Sequence, residues 1–214
     1  MTPNNKDLTI IGLTGNTGSG KTTVARILEG RGVYIINADK IARDVLLKGG
    51  AGYEETVELF GRGILQANGE IDRPKLGNIV FNDPQKLKAL NNTTHKHVLR
   101  QIDAEISYMR KEKSHKIICL DVPLLFEAGL DAICDITWVV DAHDEIKLKR
   151  VAQRDKIDIN AAKARLKSQT KSSELRQKCD KIIENNTGYD ELEAQVLKVL
   201  KELEDVYFNK FEKK

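Results

Sequence analysis

Gly15-Asn16-Thr17-Gly18-Ser19-Gly20-Lys21-Thr22 sets two glycines, a lysine and a threonine at the spacing G-x-x-x-x-G-K-T. Each residue type has a chemical reason to stand there. Glycines let the backbone approach a bulky anion, successive N–H groups turn inward, and the start of a following helix adds positive potential. A lysine at position 21 has the reach and charge for β- and γ-phosphates, and the Thr22 hydroxyl is a hard oxygen ligand suited to magnesium. The spacing carries this meaning only between a strand and a helix. Leu8 to Leu13 is an apolar run of strand length, and Val24, Ile27 and Leu28 recur at helical spacing. The eight residues therefore read as a P-loop that binds a nucleoside triphosphate through its phosphates, together with a magnesium ion.

Carboxylates and arginines decide what a bound triphosphate is used for. Gly30 and Gly32 stop the first helix, Val33 to Ile36 forms a second strand, and Asp39 follows it. The carboxyl ends of neighbouring parallel strands face one crevice, which places Asp39 beside the γ-phosphate, where a carboxylate can take the proton of an attacking hydroxyl. The competing reading is that Asp39 caps a helix starting near Ile41. Asp121 ends a later strand, where it either holds a magnesium-bound water or closes a turn. The basic stretch Asp144 to Lys178 carries Arg150, Arg154 and Arg165 at helix-compatible spacing. Alone it reads as a solvated face. Beside a P-loop it reads as a mobile lid, with at least one arginine on phosphate. The chain has no D-x-x-G and no N-K-x-D, which weighs against a GTPase.

The elements that must position these groups alternate along the chain. Ile41 to Met109 is mostly helical, with a turn at Gly49, Gly50 and Gly52. Ile117 to Leu120, Ile136 to Val140 and Lys181 to Glu184 are strands, and Leu192, Val196, Leu200 and Leu203 mark a closing amphipathic helix. This order implies an α/β fold with a parallel sheet covered on both faces. The chain has 214 residues, 40% hydrophobic and 31% charged, and 35 basic against 32 acidic residues leave a net charge of +3. That balance argues against a general nucleic-acid-binding surface. Apolar runs are too short for a bilayer, and the polar segment Met1 to Asp7 lacks a secretory core, so a cytoplasmic protein is expected. Cys119, Cys134 and Cys179 form no C-x-x-C pair and are expected to be buried free thiols. His95 and His97 lie on different faces of a helix, which sets metal binding by them aside. Lys210 to Lys214 reads as a solvated tail.

Several segments together resemble the dephospho-coenzyme A kinases. Thr14 through Thr23 and Asn37-Ala38-Asp39-Lys40-Ile41-Ala42-Arg43 are similar to that family's opening. Asp72-Arg73, Leu76, Val80-Phe81, Asp83-Pro84, Leu87 and His95 follow its middle pattern. Val122-Pro123-Leu124-Leu125-Phe126-Glu127, Arg154-Asp155, and then Gln169, Asp180, Ile183, Asn185 and Gly188 continue it. The resemblance implies a three-layer P-loop kinase fold with a parallel sheet of about five strands. It implies one domain over 1–214, with a nucleotide-binding core at 8–40, 116–143 and 181–208, a helical acceptor-binding insertion at 41–112 and a helical lid at 144–180. The implied activity is ATP- and Mg2+-dependent phosphorylation of the ribose 3′-hydroxyl of dephospho-CoA.

Under that resemblance Lys21, Asp39, Arg150 and Arg154 are catalytic, and Gly15, Asn16, Thr17, Gly18, Ser19, Gly20, Lys21, Thr22, Thr23 and Asn185 hold ATP, Asn185 near the adenine. Asp39, Arg43, His95 and Leu124 bind the acceptor, and Thr22 and Asp121 attend the metal. The chain departs from the family's usual pattern at Asn37, where an aspartate is common, and at His95-Lys96, where His-Pro is common. A nucleoside or nucleotide kinase on the same fold, or a nucleotide-binding regulatory protein, are the competing functions.

Overall fold

The computed structural model describes residues 8–207, so the polar segment Met1 to Asp7 and the charged end Lys210 to Lys214 lie outside the described residues. The chain separates into two compact units, Met1–Ile36 with Glu112–Lys214, and Asn37–Lys111.

The first unit is built on a five-stranded sheet. Its strands are β1 (Thr9–Thr14), β2 (Tyr34–Asn37), β3 (Ile117–Asp121), β4 (Ile136–Asp141) and β5 (Lys181–Glu184), in the order β2-β3-β1-β4-β5. β1 runs parallel to both neighbours, pairing Leu13 with Asp121 on β3 and with Trp138 on β4, and β4 runs parallel to β5. Every residue of β1 and β3 is buried, which is why their sequences are continuous apolar runs rather than alternating ones. Helix α1 (Lys21–Glu29) leaves the loop after β1. Val24, Ile27 and Leu28 of α1 pack with Ile11, Leu13 and Trp138 of the sheet in one apolar core. Leu192, Val196, Leu200 and Leu203 of the closing helix, Tyr189–Tyr207, join the same core, which uses all four positions picked out by their spacing.

The strand order corrects one step of the sequence reading. β2 is not a neighbour of β1, because β3 lies between them. The carboxylate that adjacency brings to the P-loop strand is therefore Asp121, paired in register with Leu13, and not Asp39.

In the second unit α2 (Ala38–Asp44), α3 (Tyr53–Phe60), α4 (Arg73–Phe81) and α5 (Pro84–Glu112, its last residue counted with the first unit) follow one another, with a 3-10 turn at Arg62–Ile64. Tyr53, Ile64, Ile71, Leu76 and Val80 form its apolar centre. Asp72 caps α4 by accepting from Lys75 N at 3.0 Å, and Pro74 in the first turn gives up an N–H that has no helical partner there. α5 buries His97, Val98, Ile102, Ile106 and Met109 on one stripe, whereas His95 is exposed. His97 bonds Glu55 at 3.0 Å and Lys96 pairs with Glu55 at 2.5 Å. The hydrogen bond from Lys96 is the largest influence on the Glu55 carboxyl; desolvation opposes it, and with the lesser contribution of His97 the carboxyl stands below its usual range.

The remaining helices, α6 (Asp144–Asp155), α7 (Ile159–Lys167) and α8 (Ser172–Lys178), belong to the first unit, and the closing helix is α9. Asp158 caps α7 by accepting from Asn160 N and Ala161 N. Among the described residues no helix is long and apolar enough to cross a membrane. All three cysteines are free thiols, but of the three expected to be buried only Cys119 is; Cys134 and Cys179 are half-buried. Burial pushes Cys134 up to about 12 and Cys179 up to about 11, so neither is a nucleophile at neutral pH.

Candidate active site

The loop Gly15–Gly20 joins β1 directly to α1. Gly20 precedes the first helical residue with φ 97°, no side chain caps the helix, and no acidic residue occupies its first turn. Thr23 N donates to Gly20 O at 2.9 Å, and with no side-chain cap the helix start, with the dipole behind it, is suited to an external anion.

A loop that presents N–H groups inward must send carbonyls outward, and two of them have side-chain partners on the far side. Ser19 O accepts from Asn185 Nδ2 at 2.8 Å, and Gly18 O accepts from Arg150 Nη1 at 3.3 Å. Arg150 Nη2 also donates to Asn185 Oδ1 at 3.2 Å, so the two side chains brace one another. Asn16 O accepts from Ser19 N at 3.0 Å within the loop. The packing is close: a Cβ on Gly20 would sit 2.0 Å from Asn185 Nδ2, so both the left-handed backbone and the contact require glycine there.

Lys21 forms an ion pair with Asp121, which is 3% exposed at the end of β3. The pair holds an ammonium group at the helix start, beside the loop. Asp121 is thereby more than a strand-end turn. Thr22 is exposed in the first turn of α1, and the Ser19 hydroxyl is buried without a hydrogen-bond partner. Among the described residues no three His, Cys, Asp or Glu side chains cluster as a metal cage. A few oxygen donors without a cage fit magnesium, which keeps waters and takes phosphate oxygens alongside one or two protein ligands. The Thr22 hydroxyl and the Asp121 carboxylate are two oxygen donors beside the loop.

α6 is anchored beneath the loop by a lysine. Lys147, 1% exposed, bonds Asp141 at 3.1 Å, Asp144 at 2.9 Å and Ser172 Oγ at 2.7 Å. Arg176 adds contacts to Asp141 at 3.3 Å and Glu184 at 2.7 Å. Burial opposes ionisation of Asp141, yet the hydrogen bond and charge of Lys147 outweigh it and hold the carboxyl below its usual range. A cavity of about 280 Å³ opens next to Gly20 and Thr23, with Arg150, Asn185, Gly188 and Tyr189 in its walls.

The structure thus gathers the loop, Asp121, Arg150 and Asn185 into one place. Arg154 is turned elsewhere, to Asp155 at 2.7 Å, and Arg165 pairs with the same carboxylate at 2.6 Å. Leu124 is 55% exposed, on a loop tied to β1 by Thr14 Oγ1 donating to Pro123 O at 2.9 Å. Asp39 and Arg43 lie on α2 and His95 on α5, all exposed side chains of the second unit. The capping reading of Asp39 fails. α2 begins at Ala38, and its cap is Asn37, whose side chain accepts from Lys40 N at 2.8 Å. Sequence reasoning passed over Lys147, one lysine among many on a basic stretch, and gave no role to Gln169, which it named only as part of the family pattern and which bonds Thr17 of the loop.

The dephospho-CoA kinase family model matches residues 9–191. A dephospho-CoA kinase from Carboxydothermus hydrogenoformans is 42% identical over 193 residues, covering 90% of this chain and 93% of the relative. The solved structure of a dephospho-CoA kinase from Campylobacter jejuni has a TM-score of 0.69 at 33% identity, over 91% of this chain and 96% of that one. A solved Thermus thermophilus protein has a TM-score of 0.79 at 35% identity, over 92% and 98%. These structures share the three-layer P-loop kinase fold with the chain. Because the match runs from β1 into α9 and takes in the loop, Asp39, Asp121 and Asn185, the chain belongs to the dephospho-CoA kinase family.

Proposed function

We propose that the chain transfers the γ-phosphoryl group of ATP to the ribose 3′-hydroxyl of dephospho-CoA, giving CoA and ADP in the last step of CoA synthesis. Family membership over residues 9–191 carries this reading. A phosphate loop with its carbonyls tied outward and Lys21 at its mouth gives it a donor half.

The 3′-oxygen attacks the γ-phosphorus in line, the bond to the bridging oxygen of ADP breaks, and the hydroxyl proton passes to the Asp39 carboxylate. Lys21 leaves Asp121 for the β- and γ-oxygens, where its charge offsets what develops on the bridging oxygen. Thr22 and Asp121 would hold a magnesium ion bound with the nucleotide, which would supply further positive charge toward the phosphates. Asn185 and the cavity beside it receive the adenine end. Arg150 serves the phosphates from the lid, 144–180, and Arg154 does so on leaving Asp155. Arg43, His95 and Leu124 contact the acceptor, with the insertion 41–112 as its main seat and the core completing a single domain. The reaction takes place in the cytoplasm on small-molecule substrates, without nucleic acid or membrane.

The test is ADP release with and without dephospho-CoA, with the new phosphate located on the product by NMR. Acceptor-dependent release and phosphate on the 3′-oxygen are expected. Phosphate on another hydroxyl, or preferred turnover of uridine, cytidine or a mononucleotide, overturns the assignment. ATP binding without acceptor-dependent release points to a regulatory protein instead.

A further inference from the structure

The apex of the phosphate loop is held from outside by the segment joining α7 to α8. Thr17 N–H donates to Gln169 Oε1 at 3.0 Å, and Gln169 Nε2 donates back to Thr17 Oγ1 at 3.1 Å. Beside this pair, Asn16 Nδ2 donates to Thr170 O at 3.0 Å and to Ser172 Oγ at 3.3 Å. The holding segment is itself fixed. Ser172 receives a hydrogen bond from the buried Lys147 at 2.7 Å, and Thr170 bonds Glu127.

The chemistry of position 169 is narrow. A backbone N–H and a hydroxyl oxygen of one residue ask for an acceptor and a donor at the end of one side chain, which a primary amide supplies. Glutamate accepts without donating, and lysine donates without accepting. The apex also needs a restraint, since Gly18 beside it sits at φ 83° and glycine leaves such a conformation at little cost.

We infer that Gln169 is a positioning residue for phosphoryl transfer, fixing the loop apex through its two-point bond to Thr17. This deepens the proposed phosphotransfer and rests on it. Gln169 acts through the loop, by its two bonds to Thr17, and not on the reacting groups. It sets where the loop N–H groups stand when the γ-phosphoryl group moves. The deeper half of the loop is gripped separately, by Asn185 on Ser19 O and Arg150 on Gly18 O. Loss of Gln169 therefore leaves ATP capture in place and spoils alignment.

The experiment measures kcat, and KM for ATP, with dephospho-CoA as acceptor. It compares the unsubstituted chain with Gln169→Ala, Gln169→Glu, Thr17→Val and the double variant Gln169→Ala/Thr17→Val. Hydrogen exchange of the amides of residues 14–20 is followed in parallel without acceptor. Gln169→Ala is expected to lower kcat roughly 10- to 100-fold, to leave KM for ATP within about threefold, and to speed exchange at Thr17. The double variant is expected to lose little more than Gln169→Ala alone, because Gln169→Ala already removes the one bond that Thr17→Val takes away. A kcat within about twofold of the unsubstituted chain, a loss confined to KM, fully additive losses, or unchanged exchange at Thr17 would each overturn the inference. If Gln169→Ala does not fold, Gln169→Glu, which keeps the acceptor for Thr17 N–H but loses the donor to Thr17 Oγ1, carries the kcat and KM comparison, with the exchange criterion set aside for that variant. If the unsubstituted chain leaves dephospho-CoA unphosphorylated, the proposed function falls, and exchange at Thr17 decides whether Gln169 fixes the loop.

Discussion

Lys21 meets a carboxylate before any nucleotide arrives, and the pairing with Asp121 shapes what its removal should do. The charge is already collected at the helix start, so little chain entropy remains to be lost when it turns to phosphate. Its interaction grows as charge moves onto the bridging oxygen, which places its effect in the chemical step. Lys21→Ala should therefore slow single-turnover transfer by about 10²- to 10³-fold, and rapid-quench kinetics at saturating ATP would show it. Unchanged chemistry removes Lys21 from the mechanism. Asp39 should behave differently. It is exposed on α2 and is not needed as the helix cap, since Asn37 fills that role. Asp39→Asn should leave folding and ATP affinity near those of the unsubstituted chain and lower kcat by about 10²- to 10⁴-fold, the usual worth of a general base. Calorimetric ATP titration beside steady-state turnover separates the two effects, and near-normal turnover excludes Asp39 as the base.

At the scale of elements, the join between β4 and α6 depends on one buried lysine. Lys147 is 1% exposed, and its main structural partner is Asp141, whose side chain is 11% exposed. Removing that carboxylate leaves a buried ammonium with Asp144, 82% exposed, as its remaining counter-charge. Asp141→Asn should cost about 3 kcal/mol, read by urea unfolding. The pH dependence has a definite sign. Because the folded-state pKa of Asp141 is lowered, its contribution is fully present above the unfolded value of about 3.9 and is lost as pH falls through the lower folded value. Stability of the unsubstituted chain should drop more steeply than that of Asp141→Asn as pH falls below about 4, and parallel curves would refute the linkage. The strand-loop-helix around Gly15 to Thr22 was legible from sequence because its signals are local: an apolar run, glycines at fixed offsets, then helical spacing. Strand order was not, because inserting β3 between β1 and β2 is a choice made by packing among segments about eighty residues apart in the chain. Lys147 was illegible for a related reason. Nothing in a basic stretch marks the one lysine whose face of α6 is turned inward until Asp141 and Ser172 are brought to it.

For the molecule as a whole, the chain offers a built-in reporter. Trp138 is its single tryptophan, sits in β4 with 0% exposure, and belongs to the apolar core shared by α1 and α9. Its fluorescence therefore follows unfolding of the unit that contains the phosphate loop, and the second unit, with its own apolar centre, need not melt in the same transition. A ligand that binds only the folded state stabilises by mass action, by about 2.7 kcal/mol at a hundred times its Kd. For a chain of this size that corresponds to roughly 5–10 °C in the midpoint. ATP with magnesium should raise the Trp138-detected midpoint by that amount. Adenosine at the same concentration should raise it far less, because the uncapped start of α1 and Lys21 recognise phosphate. A scan of midpoint against ligand concentration, with ATP, ADP and adenosine in parallel, makes the comparison. Equal shifts from adenosine and ATP would mean that the base, and not the phosphate loop, supplies the binding energy.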